Sequence, residues 1–232
     1  MRPTLVLFDV DGTLVDTRGA GRRALQAAFG AVHGLADVAA RTAAVAFSGK
    51  TDPTIVAEMA AALELTHDGV LGGAFERAYL DALAEEMARP DPGYRVLPGV
   101  RGLLDALAPR AHVHLGLLTG NVEAGARAKL QPFGLNPFFP TGGFGSDHAD
   151  RREVARCAAA CLARHAGCAL EPERVVVVGD TELDVDCARA NGYRAVAVLT
   201  GWSTREALQA AGPDVLLQDL SDLPATLRAL GV

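Results

Sequence analysis

The chain has 232 residues, a formal net charge of −6, 50% hydrophobic residues and only 5% aromatics. That length admits one large domain or a core with a smaller insert, and its apolar half must fill a core mainly with Ala, Val and Leu. The acidic balance, with no clustered basic face, excludes an ordinary nucleic-acid binder, and no apolar stretch approaches the about 20 residues that a membrane span needs.

The first apolar run, Thr4 to Phe8 (TLVLF), reads as a buried strand that ends at Asp9. It is too short for a signal peptide. From about Asp16 to Tyr94 only helical patterns follow: Arg18 to Phe29, Asp52 to Leu63 and Gly69 to Met87. Asp52 and Pro53 read as an N-cap and first-turn pair. The cluster Ala88-Arg89-Pro90-Asp91-Pro92-Gly93 reads as a breaker. Strand and helix then alternate. Val100 to Leu107 reads as a helix, His112 to Leu118 as a strand, and Val122 to Leu130 as a helix carrying Lys129 on its surface. Gly142 to Gly145 reads as a loop. Arg151 to His165 reads as a helix capped by Asp150 and Glu153, and Arg174 to Val178 as a strand. Leu183 to Ala190 is helical, Arg194 to Leu199 a strand, Ser203 to Ala210 a helix opened by a Ser203–Glu206 capping box, and Val215 to Leu217 a last short strand. Near-continuous Val-rich runs suit strands covered on both faces. The expected architecture is therefore α/β: a doubly wound parallel-sheet core of residues 1–15 and 96–232, with residues 16–95 inserted as a helical unit. The cysteines Cys157, Cys161, Cys168 and Cys187 form no Cys-x-x-Cys pair and read as thiols of a soluble, cytoplasmic protein.

Three strand ends carry polar residues that fit phosphate chemistry. Asp9 and Asp11 lie two apart at the end of the first strand, so both face one side of the crevice. Such a pair can hold Mg²⁺, or can divide labour between nucleophile and proton carrier; a solvated Asp-Gly turn is the plainer reading. Thr119 and Gly120 follow the second strand and offer a hydroxyl and an amide at a helix N-terminus, which suits a phosphate cradle or an ordinary cap. Asp180 and Asp184 follow the third strand, where helix capping is the simpler role.

In this order the motifs resemble the haloacid dehalogenase superfamily, with Asp9-x-Asp11-Gly12-Thr13 matching its first motif. The resemblance implies a helical cap over a Rossmann-like core and a phosphatase that forms a phospho-aspartate on Asp9. Asp11 would act as acid and base, Thr119 and Gly120 would hold the phosphoryl group, and Mg²⁺ would sit on Asp9, Asp180 and the Asp11 carbonyl, with Asp184 behind them. The family's usual lysine before the third strand's helix is missing; Arg151 matches best and Arg152 is the fallback. Lys50, in the polar loop Ser48 to Asp52, is the cap candidate for the leaving group, with Arg22 and Arg23 weaker. The presence of Asp11 favours phosphate esters over carbon–halogen or carbon–phosphorus cleavage. The resemblance implies a monomer or homodimer hydrolysing a small-molecule phosphate ester, as phosphoglycolate phosphatases do. A β-phosphoglucomutase-like mutase, or a catalytically silent binding protein on the same fold, are the alternatives.

Overall fold

The computed structural model describes residues 2–66, 73–89 and 93–232. In chain order the elements are β1 (Thr4–Phe8), β2 (Val15–Asp16), α1 (Ala20–His33), α2 (Val38–Arg41), α3 (Asp52–Ala62), α4 (Gly73–Ala88), β3 (Arg95–Val96), α5 (Val100–Leu107), β4 (Val113–Leu118), α6 (Glu123–Leu130), β5 (Gly142–Gly143), α7 (Arg151–Ala166), β6 (Val175–Gly179), α8 (Glu182–Ala190), β7 (Arg194–Val198), α9 (Arg205–Ala211), β8 (Val215–Leu217) and α10 (Leu223–Leu230). The beginning of the Gly69–Met87 helix and residues 90–92, the centre of the Ala88–Gly93 breaker, lie outside the described residues. None of the described helices is long and apolar enough to cross a membrane.

The main sheet has six strands in the order β5-β4-β1-β6-β7-β8, and all the pairings are parallel. Alternation along β1 explains its double cover. Val6 and Phe8 join an apolar cluster with Leu103, Leu104 and Leu107 of α5, Leu130 of α6 and Leu230 of α10. Leu5 and Leu7 face the other way, against Val154, Ala158 and Leu162 of α7, Val185 of α8 and Leu208 of α9. Both faces of a central strand are buried, as in doubly wound sheets. The chain order reverses beside β1, because β4 lies on one side of it and β6 on the other. That is a switch point, where the strand ends splay and leave a crevice.

Residues from α1 to α4 bury a separate cluster that includes Leu25, Phe29, Val56, Met59, Phe75, Tyr79 and Leu83, and Val122 from the sheet side joins it. The chain passes between sheet and helices through β2 and β3, which pair antiparallel with Val15 opposite Val96 and Asp16 opposite Arg95.

Several local expectations need correction. Gly142–Gly143 is an edge strand paired with Leu117 and Leu118; a strand without apolar side chains leaves no period to read. The β2–β3 ribbon and α10 had no counterpart in the sequence reading. Asp52 does not cap its own helix. Thr51 holds the N-cap position of α3 without a side-chain capping bond, and the Asp52 carboxylate accepts from the Val122 amide at 2.9 Å instead. The cap of α9 is Thr204, which accepts from the Ala207 amide at 3.2 Å, while Ser203 donates to Glu182 at 2.6 Å.

Candidate active site

Asp9 follows the last residue of β1, and its amide still bonds the Val178 carbonyl of β6 at 2.9 Å. Its side chain is 8% exposed. The turn that follows needs glycine twice over. Gly12 has φ of 83°, in the left-handed region, and a Cβ there would sit 2.5 Å from an oxygen of Asp180. Gly201 leaves the same room from the other side, since a Cβ there would lie 1.6 Å from the Asp180 carboxylate.

The carboxylates of Asp9, Asp180 and Asp184 each offer an oxygen within 4.8 Å of the others, and all three are buried. Asp180 accepts from the Thr13 hydroxyl at 3.2 Å and the Trp202 amide at 3.3 Å. Asp184 is engaged in a capping box with Thr181, accepting from its amide and hydroxyl at 3.0 and 2.7 Å. Arg151, in the first turn of α7, places one guanidinium nitrogen 3.0 Å from Asp9 and 2.6 Å from Asp184. Its other terminal nitrogen donates to the Gly49 carbonyl at 3.2 Å, and its Nε is buried without a partner among the described residues. Arg152, one position on, is exposed and pairs with Asp186 at 2.7 Å. Of the two arginines, Arg151 is the one brought to Asp9.

One guanidinium does not balance three carboxylates. Burial pushes the Asp9 carboxyl up to about 7; Arg151 opposes this, and the charges of Asp184 and Asp11 add to it. Burial also raises Asp180 well above the carboxylate range, helped by Asp9 and Asp184. A surplus of buried, oxygen-only negative charge fits a hard divalent cation.

Asp11 lies in another setting. Its carboxylate receives the Lys129 ammonium at 2.6 Å, the Asn121 amide at 2.9 Å and the Thr17 hydroxyl at 3.4 Å. Lys129 also donates to the Asn121 side-chain carbonyl at 2.6 Å. Only 4% of Lys129 is exposed, which overturns its reading as a surface residue. The signal was present in the helix period: Val122, Ala126, Lys129 and Leu130 share the buried face of α6. A lysine on that face must find a buried partner. Asn121 was also overlooked as a site residue.

Thr119 closes β4, its amide bonding the Gly143 carbonyl at 3.1 Å. Its hydroxyl accepts from the Asn121 side chain at 2.7 Å. Gly120 permits a close approach by the helical layer: its carbonyl accepts from the Asp52 amide at 2.7 Å, and a Cβ would stand 2.0 Å from the Lys50 carbonyl. Lys50 lies on that contact loop with its ammonium paired to Glu58 at 2.6 Å. Thr51 adds a bond to the Ala149 carbonyl at 3.0 Å. Burial raises Asp52 to about 6, opposed by Lys129.

Between the two layers lies a cavity of about 630 Å³, lined among others by Asp9, Asp11, Arg22, Phe47, Lys50, Thr119, Gly120, Lys129, Arg151 and Trp202. Arg22 was a weak candidate in sequence, as half of a basic pair on a helix; it faces this cavity, whereas Arg23 bonds Glu86 at 2.8 Å.

Phosphoglycolate phosphatase of Rhodospirillum rubrum is 32% identical over 226 residues, covering 95% of this chain and 89% of that protein. The enzyme of the same name from Synechococcus elongatus is 37% identical over 132 residues, a match spanning 57% of this chain and 59% of that one. The crystal structure of CbbY from Rhodobacter sphaeroides in complex with phosphate superposes with a TM-score of 0.72 at 25% identity, covering 99% of this chain and 100% of that one. A predicted phosphatase from Clostridium acetobutylicum shares the fold, with a TM-score of 0.73 at 20% identity and coverage of 98% and 99%. Residues 6–189 match the haloacid dehalogenase-like hydrolase family, and the chain belongs to that family.

Proposed function

We propose that the protein is a Mg²⁺-dependent, cytoplasmic phosphatase that hydrolyses a small-molecule phosphate monoester through a phospho-aspartate on Asp9. The carrying observation is the meeting of Asp9 with Asp180, Asp184 and Arg151 at the strand ends of a switch point. The names of the relatives, phosphoglycolate phosphatases, support the reaction class.

In this mechanism the phosphate enters the cavity beside Thr119 and the Gly120 amide. Arg151 steadies its equatorial oxygens and, being planar, can offer two parallel N–H donors. Asp9 attacks phosphorus in line, and its burial leaves it poorly solvated and reactive. Asp11 relays a proton from the Lys129 ammonium hydrogen-bonded to it to the leaving oxygen, and later takes one from the water that cleaves the acyl phosphate. Asp9, Asp180 and the Asp11 carbonyl would hold Mg²⁺, with Asp184 behind them, and the ion would supply neutralisation of charge on the phosphoryl oxygens. Lys129 and Asn121 hold the Asp11 carboxylate in position for that transfer.

Residues 16–95 act as the cap in this reading and residues 1–15 and 96–232 as the catalytic core. The separate apolar cluster of α1 to α4 and the paired entry and exit at β2 and β3 support that division. Lys50 reaches the leaving group from the cap when it releases Glu58.

The test is phosphate release from 2-phosphoglycolate, p-nitrophenyl phosphate and sugar phosphates, with and without Mg²⁺, for wild type and Asp9→Asn. Mg²⁺-dependent release that disappears in the variant is the expected result. Equal release from Asp9→Asn would sink the nucleophile. Conversion of a sugar 1-phosphate to its 6-phosphate with little free phosphate would replace hydrolysis by a mutase.

A further inference from the structure

The cavity is lined by five cationic side chains, Arg18, Arg22, Lys50, Lys129 and Arg151, and their countercharges can be traced. Arg151 contacts Asp9 and Asp184. Lys129 is 2.6 Å from Asp11, Lys50 is 2.6 Å from Glu58, and Arg18 is 3.5 Å from Asp16. Arg22, in the first turn of α1, pairs with no carboxylate among the described residues.

Arg22 is nevertheless held in place. One Nη donates to the Val45 carbonyl at 2.9 Å. The guanidinium carbon lies 3.9 Å from the centre of the Phe47 ring, a cation–π contact. The remaining guanidinium N–H groups make no hydrogen bond to described residues. Burial lowers the proton affinity of Arg22, and no acid restores it. A fixed, partly desolvated guanidinium with free donors lacks an anion, and its rigid fork suits a carboxylate or phosphate. Leu25, Ala46 and Phe47 line the same cavity and limit the water that could take that place.

We propose that Arg22 is a specificity-determining residue: it receives a second anionic group, carboxylate or phosphate, on a substrate whose reacting phosphate lies at Asp9. This rests on the phosphatase reading and adds to it the class of substrate, a small ester with negative charge at both ends. The cap thereby selects by charge, and the core selects the phosphoryl group. An ester with a neutral tail leaves the Arg22 guanidinium desolvated and unpaired, which costs affinity in the Michaelis complex.

Two matched substrate pairs test this on Mg²⁺-loaded protein: 2-phosphoglycolate against ethyl phosphate, and fructose 1,6-bisphosphate against fructose 6-phosphate. The first pair reads a carboxylate and the second a phosphate. Wild type is expected to favour the doubly anionic member of at least one pair in kcat/KM. Arg22→Met, which keeps the stem against Phe47, is expected to reduce that preference by roughly 10- to 100-fold, mainly through KM. Arg22→Lys keeps the charge and is expected to recover part of it, which a merely structural role would not produce. Equal losses on both members of each pair, or a wild type without the preference, would overturn the assignment. Calorimetric binding of the same pairs to Asp9→Asn and to Asp9→Asn combined with Arg22→Met separates the two readings. A wild type that releases no phosphate sinks the phosphatase, and the binding ratio then decides on Arg22 independently: its fall in the double variant supports the subsite, and an unchanged ratio rejects it.

Discussion

The two aspartates of the Asp9-Val10-Asp11 segment sit in opposite electrostatic halves of one site. Around Asp9, three buried carboxylates share a single guanidinium, Arg151. Around Asp11, one carboxylate meets one ammonium, with Asn121 and Thr17 completing its hydrogen bonds. The second half is balanced as folded. The first is in deficit by more than one positive charge, and buried charge in deficit must hold protons or bind a cation. The same short stretch of chain therefore presents one group kept for an incoming ligand and one whose position is already fixed.

The sharpest way to test that contrast is Asp9→Asn. It is expected to lower turnover by at least about 10³-fold in the phosphate-release assay. It removes charge from the side in surplus, so the metal-free variant should melt no lower than wild type. A clearly lower melting temperature would mean that the Asp9 charge is compensated after all. Lys129→Met attacks the balanced half. Leaving the Asp11 carboxylate, whose side chain is 23% exposed, beside no cation should cost about 2–3 kcal/mol in urea unfolding, with part of the loss recovered by adding Asp11→Asn. A cost below about 1 kcal/mol would show that water reaches this pair freely.

A third test uses pH. Asp52 keeps its proton to about 6 and Asp9 to about 7 in the folded chain, against a reference value of 3.8 for each. Between those limits the folded state binds more protons than the unfolded state, so the stability of the metal-free protein falls as pH rises. For Asp52 alone the shift corresponds to roughly 2–3 kcal/mol at about 1.4 kcal/mol per unit. Thermal melting at pH 5 and pH 8 reads this, and added Mg²⁺ should raise the melting temperature at pH 8 more than at pH 5. Equal melting at both pH values without metal would remove the claimed deficit. The smallest effect is expected of Lys50→Met. Its half-exposed pair with Glu58 contributes about 1 kcal/mol or less, so stability should barely change while KM reports any contact with substrate.

Much of the sheet was legible because strands buried on both faces are written as apolar runs. β1 and β8 agree with the sequence reading residue for residue, β4 and β7 differ by one residue at one end, and β6 is shifted by one residue at both ends. The carboxylates at strand ends followed from the same reading. What was not legible depends on contacts between distant elements. Asp52 reads locally as a cap for its own helix, yet it holds the amide end of α6. Lys129 reads as solvated if lysine is assigned by type alone, and only its place on the apolar face of α6 gives it away. Gly142–Gly143 has no side chain with which to announce a strand. Arg22 and Arg23 look alike in sequence, and only folding gives Arg23 a carboxylate and leaves Arg22 without one among the described residues.

The ribbon of β2 and β3 has a consequence for how such a chain can diversify. Asp16 and Arg95 face each other across it, so everything between them leaves the sheet and returns at one address. The helical stretch can lengthen, shorten or be exchanged whole without moving the register of any strand that carries Asp9, Thr119 or Asp180. On the proposed reading of these helices as a cap, a graft of another protein's helices at these two positions is expected to carry over a new selectivity while the sheet keeps its strand-end carboxylates in place.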